Sequence, residues 1–159
     1  MPIHNRFFLR PKREHEASPE GLASAGPLLQ VQVEVPAAFA AYLAKKNQPV
    51  PTPGVGWALI DTGATRTCVD NNLLNQLGMQ ATGTVTTGTA AGPTSQLLYP
   101  AKLSFPGARL EIDFGSVIGV NLSGQSIAGQ DVVVLLGRDV LSRCILVYNG
   151  PGGLFTLAL

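Results

Sequence analysis

The sequence has few charged side chains, few aromatic side chains and almost no net charge. Charged residues make up 13% of the 159 residues and the formal net charge is +1, so the basic surface that nucleic-acid binding requires is missing. No apolar run is long enough to span a membrane, and the opening residues contain too short an apolar segment for a secretory signal. We therefore expect a cytoplasmic protein with neither a nucleic-acid partner nor a membrane partner.

Cysteine and histidine are also scarce, with two residues of each type. Cys68 and Cys144 both lie in apolar stretches, and thiols in a reducing compartment usually stay free. A catalytic cysteine needs a nearby histidine, but His4 and His15 fall in the polar N-terminal segment, where their spacing matches no set of metal ligands. We expect no cysteine-protease chemistry, no metal site and no cofactor.

Glycine and proline, in contrast, are frequent, with 18 and 12 residues, and hydrophobic residues make up 45% of the chain. This composition favours a compact β protein with many turns over a helical bundle or a disordered chain. Residues 1–27 mix charged residues, proline, glycine and small residues without periodicity. We therefore expect a flexible N-terminal extension over 1–27, followed by one folded domain over 28–159.

The domain shows mainly the patterns of β-strands. From Leu28 to Val35 apolar and polar residues alternate, which predicts a half-buried strand. Short helices are predicted before Pro49 and after Asp70, which would cap the second one. Further strands are predicted over 55–60, 101–105, 110–120, 131–136, 145–148 and 153–159, with a hairpin over 84–103.

An acidic residue, Asp61, follows directly on the apolar run Trp57-Ala58-Leu59-Ile60. An ionised carboxylate in such surroundings is unfavourable unless it is hydrogen-bonded or paired, so Asp61 is the candidate functional group. Thr62 adds a hydroxyl, and Gly63 lets the backbone turn tightly and a substrate approach. The alternative is a structural carboxylate that caps a turn.

The segment Asp61-Thr62-Gly63-Ala64 after apolar residues resembles the active-site signature of the aspartic proteases. With its short chain and single Asp-Thr/Ser-Gly triplet, the sequence is similar to the retropepsins, whose single lobes form homodimers. Leu135-Leu136-Gly137-Arg138-Asp139 resembles the retropepsin element that crosses behind the catalytic loop. The hairpin over 84–103 lies where those enzymes have a flap that closes over the substrate. The resemblance covers about residues 28–159.

The resemblance implies a mostly β fold: a closed, single-lobe acid-protease barrel with a flap hairpin and one or two short helices. It also implies an aspartic endopeptidase for extended polypeptides, in which the Asp61 carboxylates of a homodimer activate water. Thr62 would hydrogen-bond across the dimer, and Gly63 would orient the carboxylate and bind the substrate main chain. The substrate-binding residues would be Ala64, Thr65, Ala90, Ala91 and Gly92. The residues that support the site would be Leu136, Gly137, Arg138 and Asp139. Candidate pocket walls, which could equally be core, are Trp57, Cys68, Val69, Leu97 and Leu98.

Two features depart from the retroviral pattern. Many retroviral enzymes have an acidic residue at the position of Thr65, so we expect Arg138 to pair with Asp139 or with another loop carboxylate instead. The chain also has a 27-residue leader before its first expected strand. We expect a dimer that is sealed mainly by an interface strand over residues 153–159; the alternative is that this strand completes the sheet of one subunit.

Two other functions fit parts of the sequence. The segment from Ile60 to Val69 also resembles the first phosphate loop of the actin and heat-shock-protein ATPases, but those folds need a second phosphate loop in a far longer chain. A retropepsin-like dimer that binds peptides without cutting them is the alternative to an active protease. An intact triplet is necessary for cleavage but not sufficient.

Overall fold

The computed structural model describes residues 3–89 and 92–158, and most of them form β-strands. The strands are β1 (Ile3–Phe7), β2 (Leu9–Arg10), β3 (Arg13–Ala17), β4 (Leu28–Glu34), β5 (Gly54–Ile60), β6 (Cys68–Asp70), β7 (Gly83–Thr89), β8 (Gly92–Phe105), β9 (Leu110–Val120), β10 (Ser126–Ile127), β11 (Gln130–Leu136), β12 (Ile145–Asn149) and β13 (Leu154–Ala158). The helices are α1 (Pro19–Ala25), α2 (Ala37–Lys45), α3 (Asn71–Gln76) and α4 (Arg138–Leu141), with a 3-10 turn at Pro106–Ala108. The prediction of a mostly β fold is confirmed, with four short α-helices in the described residues where one or two were expected.

Six strands close into a barrel in the order β11-β5-β4-β8-β9-β6, because β6 pairs back with β11. Strands β5 and β11 are parallel neighbours, with Ile60 opposite Leu136. Both strands therefore end at the same edge of the barrel. The segments that follow them, starting at Asp61 and Gly137, lie side by side at that edge, where the candidate site forms.

The alternation in β4 places one set of side chains in the core. Val31 and Val33 are buried, whereas Gln30 is exposed. Each buried valine or leucine contributes about 1.5–3 kcal/mol of transfer free energy. Trp57 and Leu28 belong to a smaller apolar cluster on the other side of the sheet. Trp57 therefore packs as a core residue.

Local polar groups set the ends of the helices. The Asp70 carboxylate accepts hydrogen bonds from the backbone N–H groups of Asn72 (2.9 Å) and Leu73 (3.2 Å), which confirms its predicted role as the cap of α3. Its other oxygen accepts from the N–H of Leu122 (2.9 Å), which ties the helix to the segment after β9. None of the helices in the described ranges is long and apolar enough to cross a membrane.

The N-terminal segment is folded, which corrects the expected flexible extension. Strand β1 pairs with β13, with Ile3 opposite Ala158, and Leu22 of α1 is fully buried in the core. The Arg6 guanidinium lies 4.2 Å from the centre of the Trp57 ring, and its Nη1 donates to the Leu28 carbonyl oxygen (3.2 Å). Local periodicity does not reveal these contacts, because the partners come from distant parts of the chain.

The C-terminal strand completes the sheet of its own subunit. Strand β13 lies between β1 and β12 in a three-stranded antiparallel sheet, so both of its hydrogen-bonding edges are occupied within the chain. Phe155 and Leu157 on this strand are fully buried. The predicted interface strand between subunits is therefore wrong, because β13 completes a sheet within one chain.

Strands β7 and β8 form the predicted hairpin, with Thr89 opposite Gly92 at its described end. Beyond the hairpin, β8 continues without interruption into the barrel as one 14-residue strand, whereas the sequence suggested two segments. The predicted substrate-binding residues Ala90 and Ala91 lie outside the described residues, and Gly92 begins β8.

Candidate active site

The turn after β5 holds the Asp61 carboxylate in a fixed orientation. Asp61 Oδ1 accepts hydrogen bonds from the backbone N–H groups of Gly63 (2.8 Å) and Ala64 (3.2 Å), and the N–H of Asp61 donates to the Leu136 carbonyl oxygen (3.0 Å). A Cβ atom at Gly63 would lie 3.1 Å from Oδ1, closer than most Cβ contacts. The side chain is half-buried, and within residues 3–89 and 92–158 its Oδ2 accepts no hydrogen bond. This oxygen can therefore take a proton or bind water.

Arg138 fixes the outer side of the same turn. Its Nη1 donates to the carbonyl oxygens of Thr62 (2.8 Å) and Gly63 (3.1 Å), and its Nη2 donates to Thr65 Oγ1 (3.0 Å). The expected pairing of Arg138 with Asp139 or a loop carboxylate is wrong. The planar fork of donors fits the closely spaced carbonyl oxygens of a tight turn, so the guanidinium binds the backbone instead.

Asp139 faces Thr67, which the sequence did not single out. The Thr67 hydroxyl donates to Asp139 Oδ1 (2.7 Å), and the Thr67 N–H donates to Oδ2 (2.9 Å). The same hydroxyl accepts from the N–H of Gly137 (3.2 Å), and Thr67 is fully buried. No local signal marks this residue, because both partners lie about 70 positions further along the chain.

Gly137 stands where the two chain segments come closest. A Cβ atom there would lie 2.5 Å from the carbonyl carbon of Arg66, so no larger residue fits without displacing the backbone. Backbone hydrogen bonds from Arg138 to Ala64 (2.9 Å) and from Asp139 to Thr65 (3.2 Å) join the segments further. The structure thus places Leu136 to Asp139 against the turn that carries Asp61. Their supporting role in a reaction stays a prediction.

A cleft of about 470 Å³ opens between this turn and the β7–β8 hairpin. Residues 63–66 and Cys68 form one side, residues 85–88 of β7 form the other, and Gln96, Ile118 and Val120 complete the lining. Of the predicted substrate-binding residues, Ala64 and Thr65 line this cleft. Of the candidate pocket walls, Cys68 lines it as well, whereas Val69 is fully buried in the core.

The Cys68 thiol is held in its protonated form. Burial, together with the negative charges of Asp139 and Asp61, raises its pKa from the ordinary 9.0 to about 11, against the lowering effect of Arg66. A thiol that stays protonated is a poor nucleophile, so the carboxylate of Asp61 remains the reactive candidate at the cleft. Across the described ranges, no group of three or more His, Cys, Asp and Glu side chains is arranged to hold a metal ion.

Comparison with known proteins places retropepsin-type proteases among the similar solved structures. No family model matches the sequence, and no curated protein matches it. A retropepsin-like aspartic protease from Rickettsia conorii is 13% identical with a TM-score of 0.43, and the alignment covers 98% of this chain and 90% of that one. The EIAV protease complexed with the inhibitor HBY-793 is 19% identical with a TM-score of 0.41, covering 74% and 86%. The retroviral protease-like domain of Ddi1 from Leishmania major is 15% identical with a TM-score of 0.39, covering 77% and 81%. Similarities this distant do not assign an activity, which has to be argued from the site itself.

Proposed function

We propose that this protein is an aspartic endopeptidase in which Asp61 from each of two identical subunits forms the catalytic pair. The observation that carries this proposal is the Asp61 carboxylate itself. One of its oxygens is fixed by the backbone N–H groups of Gly63 and Ala64, which line the open cleft, and the other accepts no hydrogen bond from the described residues.

Peptide hydrolysis without a metal or a side-chain nucleophile needs a general base and a general acid, and two carboxyl groups can supply both. An ionised carboxylate takes a proton from water, whose oxygen attacks the peptide carbon, while a protonated carboxyl gives its proton to the carbonyl oxygen. The resulting tetrahedral intermediate collapses as the C–N bond breaks and the amine leaves with a proton. Two carboxyl groups held close together share one proton and so supply both forms, for which aspartic proteases are the standard example.

A single chain supplies one half of this pair. Among the described residues that line the cleft, none is acidic, and the neighbouring Asp139 is occupied by Thr67. We therefore place the second carboxylate on another subunit. Two-fold symmetry would bring a second Asp61 opposite the first.

Exposed residues on two parts of the chain support a homodimer. Thr62 and Gly63 are exposed in the single chain although they flank the candidate catalytic group, and a symmetric contact would cover them. Thr62 would then hydrogen-bond across the two-fold axis. On the outer face of the β1-β13-β12 sheet, Ile3, Phe7, Ile145 and Val147 are between 50% and 61% exposed. Asn5 and Thr156 lie between these side chains and hydrogen-bond to each other, so the face is a mixed one with four exposed apolar side chains, as many protein interfaces are.

The substrate would be an extended polypeptide that lies in the cleft between the Asp61 turn and the hairpin. The β7–β8 hairpin would act as a flap. The predicted substrate contacts at Ala90, Ala91 and Gly92 belong to this proposal, as do those at Ala64 and Thr65 in the turn. Backbone hydrogen bonds along an extended peptide give affinity, and side-chain pockets give specificity. A cytoplasmic location stays a prediction, in keeping with two cysteines that are both free thiols.

The second candidate is a dimer that binds peptides without hydrolysing them. The cleft and the exposed turn would serve binding equally well. The two functions differ in what happens to the bound peptide.

A peptide library assayed from acidic to neutral pH separates these functions. We expect the wild-type protein to cleave a subset of peptides and Asp61→Asn to lose about 10³-fold or more in kcat/KM, because the variant cannot form the carboxyl pair. Asp131→Asn makes the same change at an exposed position on β11 and should retain activity. Peptide binding by the wild-type protein without any cleavage would establish the binding module instead.

A further inference from the structure

We propose that the cleft selects substrates with an aspartate or glutamate side chain near the cleaved bond, and that Arg66 is the residue that selects them. This inference rests on the proposed function of the cleft, which it deepens by naming a substrate class. It concerns a residue with no part in the proton transfers.

Arg66 is the one charged residue among the described residues that line the cleft. Its neighbours in the lining are uncharged: the amide of Gln96 and small, hydroxyl-bearing, thiol or apolar side chains such as Thr87 and Val85. Arg66 is half-buried. It is therefore the positive charge that a substrate side chain meets in the lining, and the carboxylates of Asp139 and Asp61 act on the same cleft through Cys68.

Ser116 on β9 holds the guanidinium in place. Arg66 Nη2 donates to the Ser116 carbonyl oxygen (3.1 Å) and to the Ser116 hydroxyl (2.5 Å). In the part of the chain that the structure describes, Nε and Nη1 form no hydrogen bond, and Arg66 takes part in no salt bridge. One end of the group is thus fixed while its other donors remain for a ligand.

Arg138, the other arginine at the site, differs in this respect. Its donors are used by the carbonyl oxygens of the Asp61 turn and by Thr65. The two arginines therefore have different roles: Arg138 stabilises the Asp61 turn, and Arg66 supplies the positive charge in the cleft lining.

A carboxylate is the ligand that fits Arg66 best. A half-buried guanidinium has lost part of its hydration, and neutral serine oxygens replace that hydration incompletely. A carboxylate forms a charge-assisted, often bidentate pair with this fork of donors. The negative charge of the Asp61 pair would repel a substrate carboxylate, and the positive charge of Arg66 offsets this repulsion.

Binding to Asp61→Asn tests the selection without turnover. Peptides with blocked termini would be compared in pairs that differ by Glu or Gln at each position near the cleaved bond. We expect the Glu peptide to bind about 10-fold more tightly at one position, with a difference that shrinks as salt rises. Adding Arg66→Gln should abolish the difference, and adding Arg66→Glu should make the site prefer a Lys peptide. Arg143→Gln removes the same charge at an exposed position and should leave the preference unchanged.

Each outcome separates this inference from the proposed protease activity. If wild-type protein cleaves the Glu and Gln peptides equally and Asp61→Asn binds them equally, the selection by Arg66 is overturned while the protease stands. If binding depends on Arg66 but no peptide is cut, the protease fails and the selection stands. A preference that appears only in peptides with a free C-terminus would overturn the side-chain assignment. If Arg66→Gln does not melt cooperatively, the test is the salt dependence of the Glu/Gln affinity difference in Asp61→Asn. A difference that does not shrink as salt rises overturns the inference.

Discussion

Thr67 connects the two halves of the candidate site through one buried hydroxyl. It donates to Asp139, accepts from the N–H of Gly137 and lies next to the cleft residue Arg66. From the sequence, Asp61, Thr62 and Gly63 could be found because they form a recognisable triplet after a buried strand. Thr67 could not, because its function depends on a long-range approach that no local pattern records.

Replacing Thr67 by valine should therefore destabilise the protein. The Thr67→Val variant keeps the shape of the side chain but leaves the buried Gly137 N–H without its acceptor, and Asp139 Oδ1 keeps only the hydrogen bond from the Val140 N–H. We expect the free energy of unfolding to fall by about 1–3 kcal/mol, measured by urea denaturation. Thr84→Val makes the same change on the exposed side of the hairpin and should shift stability by less than about 0.5 kcal/mol. Equal effects of the two substitutions would argue against a bridging role for Thr67.

At the scale of elements, the sequence predicted the strands, caps and turns that depend on neighbouring residues, and it missed the structure that depends on residues far away in the chain. The strand alternation of β4, the cap at Asp70 and the β7–β8 hairpin follow from short-range patterns, and the structure contains all three. The leader was expected to be flexible because its residues show no period of their own. Its order comes from β13 at the other end of the chain and from Trp57 in the barrel.

Helix α1 provides the test of this folded leader. Leu22 is 0% exposed, whereas Leu9 in the same leader is 48% exposed. We expect Leu22→Ala to lower the free energy of unfolding by about 2–5 kcal/mol, because it removes buried contacts and leaves a cavity. Leu9→Ala is the matched control and should change it by less than about 1 kcal/mol. Both free energies are measured by chemical denaturation. A Leu22→Ala variant as stable as the wild type would support a flexible N-terminal extension instead of a folded one.

At the scale of the whole molecule, the proposed reaction needs two chains, and this requirement can be measured without knowing the interface. If each active centre contains Asp61 from both subunits, a subunit with Asp61→Asn inactivates any dimer that it joins. In an equal mixture that has exchanged subunits freely, about one quarter of the dimers contain two wild-type chains.

Mixing wild-type protein with the Asp61→Asn variant should therefore lower activity to about a quarter of that of the same total concentration of wild-type dimer. The measurement is the initial rate of peptide cleavage after subunit exchange, with Asp131→Asn mixed in as the control that should cause no loss. A rate that falls only in proportion to the wild-type fraction, to about one half, would show that each chain works alone. Sedimentation velocity on the same mixtures checks that the variant still associates.

The pairing of Ile3 with Ala158 has a consequence for how the protein is made. During synthesis β1 leaves the ribosome before β13 has been made, so the sheet that joins them cannot form until synthesis has passed residue 158. Until then Phe155 and Leu157 are not there to pack against the rest of the core, and the nascent chain lacks part of its stabilising interior. If the proposed hydrolysis depends on this sheet, it cannot begin before β13 has left the ribosome and paired with β1.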